Sequence, residues 1–171
     1  MAAKLITGNL NKPIYASQDS DFQAGLIGNK TSIAYVGNQM VYEIEDANTI
    51  AIKDGVLITK EGRRVQIDAG AIEEFTIPTG TQGVTRYYLI GFHLYTDTDS
   101  SEKCETFVIE KENATDTIVE STFRSGSTEV YVTMYRVKQV GLSIDTVSAL
   151  VGKFSALRAI SEGALVQASE L

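Results

Sequence analysis

Between Ile33 and Ile77 the chain reads IAYVGNQMVYEIEDANTIAIKDGVLITKEGRRVQIDAGAIEEFTI. Met40, Tyr42 and Ile44 alternate with Val41, Glu43 and Glu45, the period of a strand with one buried face. Asn48-Thr49 opens a new strand at Ile50 and Ile52. Asp54-Gly55, set between apolar residues, predicts a hairpin turn into Val56, Leu57 and Ile58. Lys60-Glu61-Gly62 predicts a second turn, and Val65 and Ile67 alternate along the returning strand. A further run carries Phe75 and Ile77 to Pro78. Four or five short strands separated by tight turns describe a scaffold, with nothing in them that looks like a catalytic centre.

The rest of the chain extends the same pattern. The longest predicted strand runs from Thr85 to Tyr95. One face carries Tyr88, Ile90, Phe92 and Leu94, and the other carries Tyr87, Leu89, Gly91, His93 and Tyr95. A strand apolar on both faces belongs in the middle of a sandwich or beneath a partner. The polar tip Thr96–Ser101 leads back through Phe107, Val108 and Ile109, which completes a long hairpin. Residues 111–128 predict a surface loop. Val130, Val132 and Met134 then point inward on a last clear strand, with Tyr131, Thr133 and Tyr135 on its other face. Turns every 8–12 residues indicate an antiparallel β-sandwich or barrel.

The tail changes period. Val147, Leu150, Phe154 and Leu157 step by 3, 4 and 3, which predicts a C-terminal helix from Val147 with a short coiled-coil seam. The domain plan is thus an N-terminal arm or packing segment over 1–32, a β-sandwich domain over 33–145, and a C-terminal helix and tail over 146–171. Within the arm, residues 22–28 predict a single helical turn or an irregular segment closing over the sheet.

At 171 residues, with 43% apolar and 22% charged side chains, the chain has the means for one packed core. A net charge of −7 disfavours nonspecific binding to nucleic acid, which needs clustered Lys and Arg. The single cysteine, Cys104, excludes an intrachain disulfide and any multi-cysteine metal site. No signal peptide and no membrane-spanning run is read, so folding in a cytoplasm without membrane insertion is expected.

The candidate sites of chemistry are few and incomplete. His93 is the only histidine, so any Ser-His-Asp or Cys-His arrangement would have to use it. Asp97, Asp99 and Glu102 lack the glycine and terminal glutamate of a calcium loop. Glu73-Glu74 is a surface pair, and Gly25-Leu26-Ile27-Gly28 lacks the ending of a phosphate loop. No catalytic, cofactor-binding or metal-binding residue is expected. The aromatic set is more informative, since eight tyrosines and six phenylalanines occur with no tryptophan. Tyrosine is enriched at protein interfaces and also lines sugar sites. The expected interface residues are Tyr87, His93, Tyr95, Tyr131 and Tyr135, with Val147, Leu150, Phe154 and Leu157.

The order of several short motifs resembles the N-terminal β-rich modules of tail, baseplate and fibre-associated proteins of phages and prophages of Gram-positive bacteria. These motifs are Asp19–Gly25, Val36-Gly37-Asn38-Gln39, Asn48–Gly55, Gly62-Arg63, Gly80–Gly83 before a Tyr-Tyr-Leu-Ile strand, and Tyr135-Arg136-Val137. The resemblance spans roughly residues 15–150 and extends to contractile tail-like bacteriocins. It implies a non-enzymatic virion component, a homo-oligomer with a trimer ahead of other symmetries, working at the tail tip, the baseplate or a fibre attachment. Its partners would be other tail, baseplate or fibre proteins, with assembly in the host cytoplasm. Ending at Leu171 without a long shaft or distal head, the chain is expected to have an adaptor or attachment role, by fibre anchoring or host attachment. The alternative is a carbohydrate-binding β-sandwich module that uses the same tyrosines on a cell-surface glycan.

Overall fold

The computed structural model describes residues 16–27, 30–123 and 126–154. Two sheets enclose one apolar core. In the first, β3 (Thr49–Ile58) is central and β4 (Arg64–Thr76) lies along one side of it. Along its other side β2 (Tyr42–Ile44) pairs with the first half and β1 (Ser32–Ile33) with the second. The last strand, β9 (Gly152–Lys153), joins β1 in parallel. The second sheet has the order β6 (Glu102–Lys111), β5 (Thr85–Thr96), β7 (Glu129–Val140) and β8 (Ser143–Ala149), all antiparallel. This mainly β arrangement fits the sandwich or barrel expected from the sequence.

The inward faces follow the alternation. Ile50, Ile52, Leu57, Val65, Ile67 and Phe75 come from the first sheet, and Tyr88, Ile90, Phe92, Leu94, Val130 and Val132 from the second. Phe75 meets Phe92 edge to face across the core, with ring centroids 6.1 Å apart. A buried amide ties one end of the core together. Gln139 is fully buried, and its Nε2 donates to Asn48 Oδ1 (3.1 Å) and to the Pro78 carbonyl (3.0 Å). Such an amide is tolerated inside only because its polar atoms are paired.

Four expectations are corrected. Asp54-Gly55 is not a hairpin turn, because β3 runs straight through it and the surplus residues of the bulge lie on β4. Lys53 faces Ile72 and Gly55 faces Ile67, so residues 68–71 of β4 stand opposite Asp54 alone. The neighbouring 34–41 segment keeps the strand extended, since Ala34 N–H donates to Val56 O, Met40 N–H to Asp54 O, and Val41 O accepts from Lys53 N–H. Asp54 in turn accepts from the Asn38 backbone N–H and side-chain amide, and these bonds, the amide first, hold its carboxyl below the usual carboxylate range.

The alternation at Met40, Tyr42 and Ile44 is real, but only Met40 is fully enclosed. β2 is a three-residue edge strand, and Tyr42 and Ile44 remain 39% and 43% exposed. Tyr135 points inward rather than outward. The register of β5 and β7 slips at Ile90/Gly91, so Tyr135 faces Ile90 while Thr133 faces Gly91. The extra residue, Met134, shifts the alternation by one, and Met134 and Tyr135 are both buried. The Tyr135 hydroxyl donates to the Met40 carbonyl at 2.6 Å, and burial first, then Tyr42, pushes its pKa up to about 12.

The C-terminal helix does not begin at Val147. Residues 143–149 form β8, which pairs with β7, and Gly152–Lys153 form β9. Val147 lies opposite Val137 and joins the core. The 3-4-3 spacing crosses two strands and their connection. It reflects a lone buried valine on an edge strand, not a helical face. The remainder of the expected helix, with Leu157, lies outside the described residues.

The one helix among the described residues is α1 (Ala16–Ile27), where the sequence indicated at most a turn. Asp19 in its first turn complements the helix dipole. Ser20 and Ala24, one turn apart, are buried, whereas Phe22 and Leu26 face outward at 65% and 54% exposure. The helix seats against the β3–β4 hairpin at Gly62. A Cβ on Gly62 would stand 1.8 Å from Ser20 O, and its φ is +85°. Arg63 secures the same corner. It makes a two-point contact with Glu102 of the opposite sheet (2.8 and 2.6 Å), approaches Glu61 at 3.1 Å, and lies 4.5 Å over the Phe123 ring. Gly62→Ala should therefore undock α1 while leaving the core intact. Left-handed strain alone adds about 1–2 kcal/mol. Hydrogen exchange should show lost protection confined to residues near α1 and the hairpin; unchanged protection there would refute this seating.

Candidate functional site

The outer face of the second sheet carries the densest group of polar and aromatic side chains that the sequence singled out. Strand alternation places His93 and Tyr95 on β5 and Tyr131 on β7, with His93 directly opposite Tyr131. Pairing on the other side sets Glu105 of β6 opposite His93. The His93 ring stacks on Tyr131 at 4.2 Å and 10°, and on Tyr95 at 5.1 Å and 25°. Phe107 closes on Tyr131 edge to face at 5.3 Å. His93 Nδ1 lies 2.9 Å from Glu105 Oε1, and Nε2 lies 3.0 Å from Glu129 Oε2. A neutral ring donates to only one of these carboxylates; the protonated ring donates to both.

This row ties three strands together through ring faces and carboxylates. The carboxylates sit at opposite ends of the imidazole, so they do not converge on one point. Among the described residues no group of three or more His, Cys, Asp or Glu side chains is placed to hold a metal ion. No described helix is long and apolar enough to cross a membrane.

The other expected site residues scatter. Tyr87 is half-buried further along the same face of β5. Tyr135 is in the core. Val147 is in the core on β8, Leu150 follows that strand with its N–H on Met134 O, and Phe154 follows β9 with its N–H on Ile33 O. No seam unites these three. The acidic tip is also spoken for: Asp97 accepts from Thr98 N–H, Asp99 from Ser101 N–H, and Glu102 is held by Arg63.

Sequence reasoning missed Glu105, Glu129 and Phe107, the neighbours that complete the His93 row. Pairing β5 with β6 through their connecting tip would have brought Glu105 and Phe107 to that face. Glu129 depends on the longer return of β7. It also missed two groups of exposed apolar residues. Tyr35 and Val36 protrude before β2, at 62% and 50% exposure. Val84, Val140 and Leu142 gather where Gly141 N–H bonds Val84 O, and Leu142 is 55% exposed.

Cys104 lies exposed on β6. Desolvation first, then the Glu73 and Glu105 carboxylates, pushes its thiol up to about 11. Thiolate is then about 100-fold scarcer near neutral pH than for an ordinary thiol. Its higher basicity returns about ten-fold in nucleophilicity, so iodoacetamide at pH 7.5 should react about ten-fold more slowly than with a free cysteine peptide. An ordinary rate would show that local desolvation and the two carboxylates do not raise this thiol.

No protein-family model matches this chain, and no curated protein matches it either.

Proposed function

We propose that the chain is a structural subunit of a phage or phage-tail-like particle, at the tail tip, baseplate or a fibre attachment, acting by assembly with further copies and neighbouring tail proteins. One observation carries this reading: large apolar side chains stand exposed in three separate places. They are Phe22 on α1, Tyr35 with Val36 before β2, and Leu142 at the β7–β8 turn. Contact with other chains would take these large apolar side chains out of water. The ordered motifs from Asp19 to Val137 favour the same class. Assembly in a bacterial cytoplasm and residence in the particle follow from it.

The glycan-binding alternative is less well supported on the strand face, because Tyr135 is enclosed and Tyr131 already stacks on His93. Light scattering tests the assembly. The full chain should have the mass of several copies, a trimer first, and Tyr35→Asp with Leu142→Asp should reduce it toward one. Removal of the tail for the same purpose should begin after Phe154, since 147–149 belong to β8 and 152–153 to β9. A parent chain that stays monomeric at high concentration would remove this reading.

A further inference from the structure

The outermost strand of a sheet presents a row of backbone N–H and C=O groups, which stable chains blunt by shortness, bulges or charge. Among the described residues, the edge strands β2 and β9 have three and two residues, and β4 and β8 carry surplus residues against their partners. β6 differs from all four. It pairs with β5 over its whole length without a register shift, and no described strand pairs along its other edge. Asp97 N–H donates to Ser101 O at the β5–β6 tip, so odd-numbered residues of β6 turn their backbone groups toward β5. Those of Thr106, Val108 and Glu110 turn outward. Charged side chains along β6 would ordinarily deter a further strand. In one arrangement they favour it.

We infer that β6 pairs antiparallel with β6 of a second copy, about a two-fold axis at Val108. Opposed residues in a sheet share a face, so a two-fold axis sets each residue against one of the same parity. An axis at Glu105 would set that residue against itself. One at Thr106 would oppose Glu102 to Glu110, and one at Phe107 would oppose Lys103 to Lys111. With the axis at Val108, Glu105 falls opposite Lys111 at both ends, Phe107 opposite Ile109, and Val108 opposite itself. Seven residues of each copy then pair and no like charges meet; axes at Cys104 or Ile109 pair only five. Unlike charges and apolar pairs set opposite each other stabilise a sheet, and like charges weaken it. Glu105 meets His93 through Oε1 and its side chain is 57% exposed, which leaves Oε2 for the lysine ammonium. This contact uses none of Phe22, Tyr35 or Leu142 and goes beyond the assembly reading. A two-fold contact joins copies in pairs, in addition to any contact that closes a ring. Being small, it forms at high protein concentration.

Cysteine cross-linking on the full chain reads the register directly. In a Cys104→Ser background, Thr106→Cys, Val108→Cys and Glu110→Cys are made singly and oxidised with diamide at millimolar protein concentration. Val108→Cys should give a covalent dimer, because the two copies of that position meet at the axis with Cα atoms about 5.5 Å apart, within disulfide reach. Thr106→Cys and Glu110→Cys should stay single chains on a denaturing gel, since each lies about 14 Å from its own mate. Lys111→Glu added to Val108→Cys should slow the cross-link about ten-fold, and adding Glu105→Lys as well should restore it. A merely structural role for either charge predicts no such rescue. Tyr35→Asp with Leu142→Asp should leave the cross-link unchanged, so this contact and the assembly reading fail separately. No dimer from Val108→Cys, equal linking at position 106 or 110, or no rescue by the reversed pair would each overturn the inference.

Discussion

Phe75→Ala is expected to lower the unfolding free energy by about 3–5 kcal/mol. Phe75 is 1% exposed on β4, opposite Ile50 on β3, and its ring meets Phe92 of the facing sheet edge to face. Removing it takes away apolar area and a ring contact between the sheets, and it leaves a void. That void closes poorly, because β4 is held to β3 by backbone pairing on both sides of position 75 and cannot sink toward the second sheet. Ile72→Ala on the same strand is the matched control. Ile72 is 47% exposed, so its loss should be within about 0.5 kcal/mol. Denaturant titration compares the two directly. Equal losses would mean that the two sheets do not share the core described above.

The second large effect is expected at Gly91, for a different reason. Gly91 sits mid-strand where β7 carries its extra residue. A Cβ there would lie 2.1 Å from Val132 O and 2.9 Å from Met134 N. Both atoms are backbone, so no side-chain rotation relieves the clash. Gly91→Ala must open the β5–β7 pairing or straighten the bulge, which would turn Tyr135 out of the core and away from the Met40 carbonyl. We expect a loss of about 3 kcal/mol, at the upper end of overpacking costs. The Tyr135 ring signals in near-ultraviolet circular dichroism should change with it. A variant as stable as the parent, with those signals intact, would show that the bulge does not require glycine.

Much of the fold was legible in the sequence because period-2 alternation survives wherever a strand has one buried face. The β5 strand, the β5–β6 hairpin and the Val65/Ile67 phase were all readable for that reason. The site was legible in part: His93, Tyr95 and Tyr131 share a face because β5 and β7 keep their alternation up to Thr133. Beyond that point one inserted residue reverses the sense of every side chain, and Tyr135 was misplaced. Nothing local marks Met134 as surplus; the close approach of Val132 to Gly91 accommodates it.

The sequence by itself determined the mainly β class, the inward residues of the long strands as far as the β7 bulge and the absence of an intrachain disulfide, since each depends on composition or on local alternation. Only the tertiary structure decided that β3 runs on through Asp54-Gly55, that 143–149 is a strand, and that α1 seats on Gly62. Each of these depends on a partner far away in the chain: the 34–41 segment holds β3 extended, β7 recruits β8, and the hairpin tip offers a surface without a Cβ. A hydrogen bond or a close backbone approach from a distant segment outweighs a local turn or helix preference worth about 1 kcal/mol or less.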